Sequence, residues 1–301
     1  MVVLVALVSA GAYAVAMVLQ QRSARTVADD ASLRPSLMVQ LLRRRVWLLG
    51  MVCNLVAFGL RGVALGQGSL AVVQPVVLMG LFFALLLETR IEHRPFTMRE
   101  GMGSLALIGG LTLFVLAAAP TDGQTDPPPM DWLVLGAVMG AGALLAVTSA
   151  ARHVGELRAA WLACGGALLL ALTAGLTKVV ADDVAGHQMS VLRTWSPYAL
   201  LAVGGVAVLV TQSAFQAGPL RASLPVLSVV EPLASILVGA WVFEEHIATT
   251  VSARIGEVSG LALLAAGVVA LTMRPELAPS VPSRPEIRRL SVRTDRWSGL
   301  R

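Results

Sequence analysis

Long stretches with almost no charge constrain this chain more than any other feature of its sequence. Nine of them are about twenty residues long, the length that an α-helix needs to cross a bilayer. Only 14% of the residues are charged, against about a quarter in a soluble domain. The sequence lacks the short segments of alternating polarity that a transmembrane β-barrel requires. We therefore predict an all-α polytopic membrane protein with spans at 2–19, 47–66, 69–88, 101–119, 131–151, 158–180, 197–216, 222–243 and 255–273.

The basic residues are distributed unevenly between the loops. The loops after the first, third, fifth and seventh spans and the C-terminal segment together carry 19 of the 23 lysines and arginines. Because basic loops stay on the cytoplasmic side, this bias predicts an N-terminus outside and a C-terminus inside. Nine spans satisfy that topology. We expect a multi-pass protein of the cell membrane, that is, the plasma or inner membrane.

Two parts of the chain repeat each other at a fixed offset. Among the positions that carry the same residue when the sequence is shifted by 157, six pairs mark the repeat. The pairs are Pro75 and Pro232, Glu88 and Glu245, Glu100 and Glu257, Gly103 and Gly260, Leu107 and Leu264, and Gly110 and Gly267. The predicted orientation places the two copies in opposite directions across the membrane. Inverted repeats of this kind are common in secondary transporters, where the two copies alternately open a site near the midplane.

Composition divides the chain into four parts. Residues 1–119 form the first half with four spans, and residues 131–273 form the second half with five. Residues 120–130 are rich in proline and contain no basic residue, so we expect an extracellular linker. Residues 274–301 mix prolines and arginines with few apolar side chains, which predicts a disordered basic tail in the cytoplasm.

Residues around the two proline segments resemble a known family. In the first half they are Trp47, Gly50, Ala64, Leu65, Ser69, Leu70, Val73, Gln74, Pro75, Glu88 and the glycines of 101–110. In the second half they are Ala222, Ser223, Pro225, Glu231, Pro232, Gly239, Glu244, Glu245, Gly260 and Gly267. Over residues 1–273 the chain is similar to the drug/metabolite transporter (DMT) superfamily with its EamA-like repeats. That resemblance implies five helices per half. The arginine-rich segment 20–46 then stands where the second helix of the first half is expected.

The nine-span arrangement also resembles the NIPA-type branch, which is associated with magnesium transport. The resemblance includes the tryptophan at the start of the second span and the segment Ala-Val-Val-Gln-Pro that ends at Pro75. Relatives in that branch carry an acidic residue and an asparagine in the second span. The corresponding positions here are near Phe58 and at Arg61, and a fixed positive charge is unfavourable along a cation path.

Glu231 is the leading candidate for a functional residue. Its span begins near Ala222, so Glu231 lies about 13 Å into the membrane. A charged side chain there costs roughly 2.5–3.5 kcal/mol on insertion scales, so such a group faces a cavity or a partner. It can bind a coupling proton or a cationic substrate. Pro232, like Pro75, leaves a backbone carbonyl free and predicts a helix kink. The alternative is a protonated glutamate that bonds to this interrupted backbone.

Gln74, Gln212, Gln216 and Arg61 are predicted to line the same cavity. Gln74 holds the place of Glu231 in the other half, and the two other glutamines share one helix face. The alternative for that pair is hydrogen bonding between helices. For Arg61 the alternatives are snorkelling to the interface, pairing with Glu231 and holding an anionic group of the substrate.

Three further glutamates, Glu88, Glu244 and Glu245, fall at the ends of spans. At that position we expect salt bridges between loops, or gates, rather than substrate binding.

The sequence predicts a secondary transporter that moves a small metabolite or organic cation by alternating access, with proton coupling through Glu231. The alternatives are a magnesium or other divalent-cation transporter and a membrane scaffold without transport. An enzyme is not expected, because no nucleotide-binding, metal-ligating or nucleophile–base pattern is present. We expect no cofactor and no resident metal. Expected partners are a small-molecule or ion substrate and membrane lipids but no nucleic acid, and a homodimer is compatible with the sequence.

Overall fold

The computed structural model describes residues 1–67, 70–118, 128–187, 192–244 and 250–272. Regular structure within these residues is helical throughout. The helices are α1 (Val2–Arg25), α2 (Pro35–Leu42), α3 (Arg45–Gln67), α4 (Leu70–Ile91), α5 (Met98–Ala118), α6 (Pro129–Ala150), α7 (Gly155–His187), α8 (Ser196–Ala217), α9 (Leu220–Val242) and α10 (Val251–Thr272). The predicted linker lies largely outside the described residues, and the predicted tail lies entirely outside them.

Eight of these helices are long and apolar enough to cross a membrane: α1, α3 and α5 to α10. The chain is therefore a polytopic helical membrane protein, as its apolar stretches predict. The remaining predicted span falls in α4. That helix is 22 residues long, but the side chains at 70–72 and 74–75 are not described. A ninth span thus stays a prediction.

The helices form two groups with similar packing. In the first group α1 packs against α3 and α4, and in the second α7 packs against α6, α8 and α9. The packing of α1 in the first group therefore matches that of α7 in the second group, and α7 is the second helix of the second half. The resemblance places segment 20–46 where the second helix of the first half is expected, whereas by its packing α1 takes the place of that second helix. Among the described helices, α6 is the one without a counterpart in the first group.

The connection between α1 and α3 has its own structure. α1 continues to Arg25, a 3-10 turn follows at Asp29–Ala31, and α2 begins with a proline. α2 has only eight residues, far fewer than the roughly 20 that span a bilayer. Leu37 and Leu41 of α2 are fully buried. Residues 26–44, here called the connector, thus form a folded segment that packs against the bundle.

α5 and α10 approach each other closely through glycines. A Cβ atom added at Gly110 would lie 2.8 Å from the carbonyl oxygen of Gly260, and one at Gly260 would lie 2.8 Å from that of Gly110. A Cβ at Gly267 would lie 2.8 Å from the Gly103 carbonyl oxygen. Small residues at such positions let helix backbones meet without a side chain between them. A shift of 157 residues relates Gly103 to Gly260 and Gly110 to Gly267. The same shift therefore converts the contact between Gly110 and Gly260 into the contact between Gly267 and Gly103.

One end of the bundle collects the arginine-rich segments. Arg25 of α1 pairs with Glu92 after α4 at 3.1 Å, and Arg221 of α9 pairs with Glu156 of α7 at 2.7 Å. The loops that the charge bias assigns to one side therefore meet at one end, here called the arginine-rich end. At the opposite end the Lys178 ammonium lies 4.1 Å from the centre of the Phe243 ring.

The α5–α10 contact predicts that alanine substitutions at two adjacent glycines differ in their effect on stability. Gly110→Ala places a methyl group against the backbone of α10, whereas the Cβ of Gly109→Ala meets no atom within 4 Å. We expect Gly110→Ala to destabilise the purified protein by about 1–3 kcal/mol through overpacking. Gly109→Ala should be neutral or slightly stabilising, because alanine is the better helix former. Thermal unfolding in detergent measures both, and equal melting temperatures would contradict the packing.

Candidate functional site

Glu231 lies in the middle of α9, which remains helical from Leu220 to Val242 although it contains Pro225 and Pro232. Pro232 has no N–H, so the carbonyl group of Ser228 loses its usual helical partner. The Ser235 hydroxyl donates a 2.9 Å hydrogen bond to the Glu231 carbonyl oxygen. The carboxylate thus lies beside a weakened stretch of helix, as the sequence predicts.

Two side chains from other helices interact electrostatically with the Glu231 carboxylate. They are Arg61 of α3 and Tyr13 of α1, and Tyr13 also interacts with Arg61. All three side chains are half-buried. The predicted association of Arg61 with Glu231 therefore has a counterpart in the structure. Tyr13 was not expected, because a single tyrosine within an apolar span carries no pattern that marks it.

Tyr13 also brings α4 close to this group. A Cβ atom on Gly80 of α4 would lie 2.9 Å from the Tyr13 ring and 3.1 Å from the Ala10 carbonyl oxygen. Gly80 is hence the point where α4 approaches α1. Gln74 and Pro75 lie in the same helix, but their side chains are not described. The prediction that Gln74 faces Glu231 stays a prediction.

Gln212 lies in a separate polar cluster near the C-terminal end of α8. Its side-chain oxygen accepts a 3.1 Å hydrogen bond from the Trp47 indole, and its amide nitrogen donates a 2.8 Å bond to Gln20. The Gln212 side chain is only 3% exposed. These bonds join α8 to α3 and α1, which corresponds to the alternative of hydrogen bonding between helices.

Gln216, one turn further along α8, holds the connector. Its amide nitrogen donates to the carbonyl oxygens of Val27 and Ala28 at 3.1 and 2.7 Å. The hydroxyl of Ser213 accepts a 3.0 Å bond from the Leu33 backbone nitrogen. The connector is therefore anchored to α8 by the side chains of Gln216 and Ser213.

Glu88 is the most deeply buried carboxylate at the arginine-rich end, with 2% of its surface exposed. One carboxylate oxygen accepts a 2.6 Å hydrogen bond from the backbone nitrogen of Leu220, at the start of α9. The other lies 3.6 Å from the Arg94 guanidinium. A carboxylate at the N-terminus of a helix satisfies a free N–H and interacts favourably with the helix dipole.

Arg94 connects this contact to the neighbouring helices. Besides Glu88, its guanidinium pairs with Glu92 at 3.3 Å and with Glu100 of α5. These contacts link α4 to α5 and, through Glu88, to α9. At the arginine-rich end, charged groups thus bridge three helices. The repeat pairs Glu88 with Glu245, which lies outside the described residues, and only the tertiary structure brings Leu220 to Glu88.

The hydrogen bonds of Gln212 predict that removing its side-chain amide strongly lowers the stability of the protein. Gln212→Leu leaves the Trp47 N–H and the Gln20 side chain without their partner, which should cost about 1–3 kcal/mol. Gln40→Leu is the matched control, because Gln40 is exposed and has no hydrogen bond to a described residue. Chemical or thermal unfolding of the purified variants measures the difference. Equal stability of the two variants would contradict this role.

Comparisons with known proteins identify a relative but no activity. No protein-family model matches the chain, and no solved structure matches it. The chain is similar to the uncharacterized protein Cgl0250/cg0304 of Corynebacterium glutamicum, with 32% identity over 249 residues. The match covers 81% of this chain and 84% of that protein. The chain therefore belongs to the same family as this uncharacterized corynebacterial protein.

Proposed function

We propose that the protein is a secondary transporter of the drug/metabolite type, which moves a small metabolite or an organic cation by alternating access. Glu231 is the coupling group in this proposal and binds the transported proton or the cationic group of the substrate. The observation that carries the proposal is the electrostatic interaction of Glu231 with Arg61 and Tyr13, from three helices, inside a membrane protein.

The cost of charge in hydrocarbon supports a cavity at this place. An ionisable side chain inside a membrane faces a partner or a water-filled space, because facing lipid is unfavourable. Glu231 and Arg61 carry opposite charges, and both side chains are partly buried within the bundle. In this proposal the substrate is the third group that completes their pairing. A small polar or charged substrate fits that position.

The contacts between α5 and α10 support a twofold relation between the halves. The shift of 157 residues converts one glycine contact between α5 and α10 into the other. This exchange is expected if the axis that relates the two repeats passes between these two helices. Inverted repeats provide two equivalent conformations, one open to each side. Pro225 and Pro232 interrupt the hydrogen bonding of α9 on either side of Ser228 and provide points where that helix can bend.

Charge neutralisation at Glu231 supplies the coupling step. When the carboxylate binds a proton or a cationic group, its attraction for Arg61 decreases. The guanidinium is then available to an anionic group of the substrate or moves away from the cavity. Occupancy thus changes the balance between the two conformations, because only a differential interaction shifts such an equilibrium.

Magnesium transport is less well supported than metabolite transport. The positive charge of Arg61 lies within electrostatic range of Glu231 and would repel a divalent cation bound there. Magnesium uptake is therefore included as a separate measurement in the test of function.

Replacing the carboxylate tests the proposal. We expect Glu231→Gln to reach the membrane and fold, but to lose proton-coupled flux, because an amide does not exchange a proton in this range. The measurement is flux into proteoliposomes under a pH gradient, with a library of metabolites and organic cations and, separately, Mg²⁺. Glu244→Gln is the control, since it removes the same charge at the exposed end of α9.

Each result of this experiment distinguishes the alternatives. Coupled flux in the wild type that Glu231→Gln abolishes and Glu244→Gln retains supports the proposal. Flux of Mg²⁺ alone supports the divalent-cation alternative. If folded wild-type protein moves no compound of the library and no Mg²⁺, the transporter proposal fails and a scaffold role replaces it.

Closure of the arginine-rich end generates a second prediction. Glu88→Leu removes the acceptor for the Leu220 N–H, a charge-assisted bond that contributes about 1.5–3 kcal/mol. In the proposed transporter, we expect the population of the state with this end closed to fall roughly tenfold to a hundredfold relative to the state with this end open. A cysteine at the buried position Ser223 should then react faster with a maleimide that cannot cross the membrane.

The control for the closure is Glu88→Gln, which keeps an oxygen that can accept from Leu220. Its effect on labelling should be smaller than that of Glu88→Leu. Both are measured with Cys53 and Cys164 replaced by alanine, so that Ser223→Cys is the reactive thiol. Unchanged labelling in Glu88→Leu would show that this contact does not control access.

A further inference from the structure

A cleft separates the end of α1 from the start of α3 at the arginine-rich end. Its volume is about 490 Å³, within the range of about 300–1,000 Å³ that is typical of small-molecule sites. The residues that matter for its chemistry are Arg22, Ser23 and Thr26 on one side and Arg44, Arg45 and Val46 on the other. The cleft lies apart from Glu231, which is in the middle of α9.

The charge of the cleft is positive. Arg44 is fixed in place, because its guanidinium donates to the hydroxyl and, at 3.2 Å, to the carbonyl oxygen of Thr26. Arg22 and Arg45 are exposed and have no hydrogen bond or ion pair with any described residue. Within the described part of the chain, no carboxylate lines the cleft. Two guanidinium groups are therefore available to an anion.

Ser23 adds a polar group without a partner. Its side chain is 5% exposed, and its hydroxyl oxygen makes no hydrogen bond to a described residue. A buried hydroxyl without a partner costs free energy unless a ligand or water supplies one. A phosphate oxygen in the cleft would accept from this hydroxyl and from guanidinium groups, which bind phosphate well.

Apolar surface continues from the cleft along both helices. Val8 and Val15 are exposed on α1, and Leu49, Val52 and Val56 are exposed on α3. On each helix the exposed side chains recur at intervals of one or two turns and form a strip. A ligand with a charged head and long apolar chains matches this combination better than a soluble anion does.

We propose that this cleft binds the headgroup of an anionic phospholipid. The phosphate lies between Arg22 and Arg45 and accepts a hydrogen bond from Ser23, and the acyl chains follow the exposed strips of α1 and α3. Basic pockets between membrane helices on the cytoplasmic side bind anionic headgroups in this way. The bound lipid joins the end of α1 to the start of α3, the two helices that the connector links.

Thermal stability in detergent measures this binding. The purified protein is titrated with phosphatidylglycerol, with zwitterionic phosphatidylcholine and with inorganic phosphate. We expect phosphatidylglycerol to raise the melting temperature and the other two to have little effect, since a ligand that binds the native state stabilises it. Arg22→Gln combined with Arg45→Gln should reduce phosphatidylglycerol affinity about thirtyfold, the effect of losing two arginine–lipid interactions.

Arg43→Gln is the matched control, because Arg43 is exposed beside the cleft but does not line it. This variant should bind phosphatidylglycerol like the wild type. If the double variant does not fold, the single variants and photo-crosslinking of a phosphatidylglycerol analogue to wild-type protein give the answer. Crosslinks at residues 19–23 and 45–49 support the site. Equal stabilisation by phosphatidylcholine, full stabilisation by phosphate alone, or crosslinks elsewhere would overturn it.

Discussion

Hydrocarbon offers no hydrogen-bond partner, and the whole bundle depends on this constraint. Every polar group inside the membrane must find its partner within the protein. Helices satisfy the backbone, and the remaining polar side chains then determine which helices can meet. Gln212 joins α8 to α1 and α3 through Gln20 and Trp47, and Glu88 joins α4 to the start of α9. These polar contacts therefore help to determine which helices meet, together with the close glycine packing of α5 against α10.

Polar groups occur at two depths with different degrees of pairing. At the arginine-rich end, Arg94 and Glu88 contact each other across helix ends, and Glu92 and Glu100 complete the network. In the interior, Glu231, Arg61 and Tyr13 interact electrostatically but are only half-buried. An end bridged by charged groups, beside interacting charges in the interior, is compatible with the alternating access that we propose.

The sequence predicts the parts of this structure that depend on local patterns. Stretches with almost no charge locate the helices, and the position of Glu231 within its span follows from counting residues. The partners of Gln212 and Glu88 could not be predicted, because they come from residues more than one hundred positions away. A periodic pattern indicates which face of a helix is polar but not which helix it meets. The fold of the connector was missed for a related reason, since its buried leucines, Leu37 and Leu41, form too short a pattern among arginines.

The anchoring of the connector on α8 has a mechanical consequence. Gln216 and Ser213 bind the backbone of residues that belong to the first half of the chain, while α8 belongs to the second. Any rotation of one half against the other must carry α8 with α1 and α3, or else break these bonds together. The rigid units of a rocking motion would then differ from the two sequence repeats. The boundary between moving parts would then run between α8 and the rest of its own half, across the packing of α8 against α7.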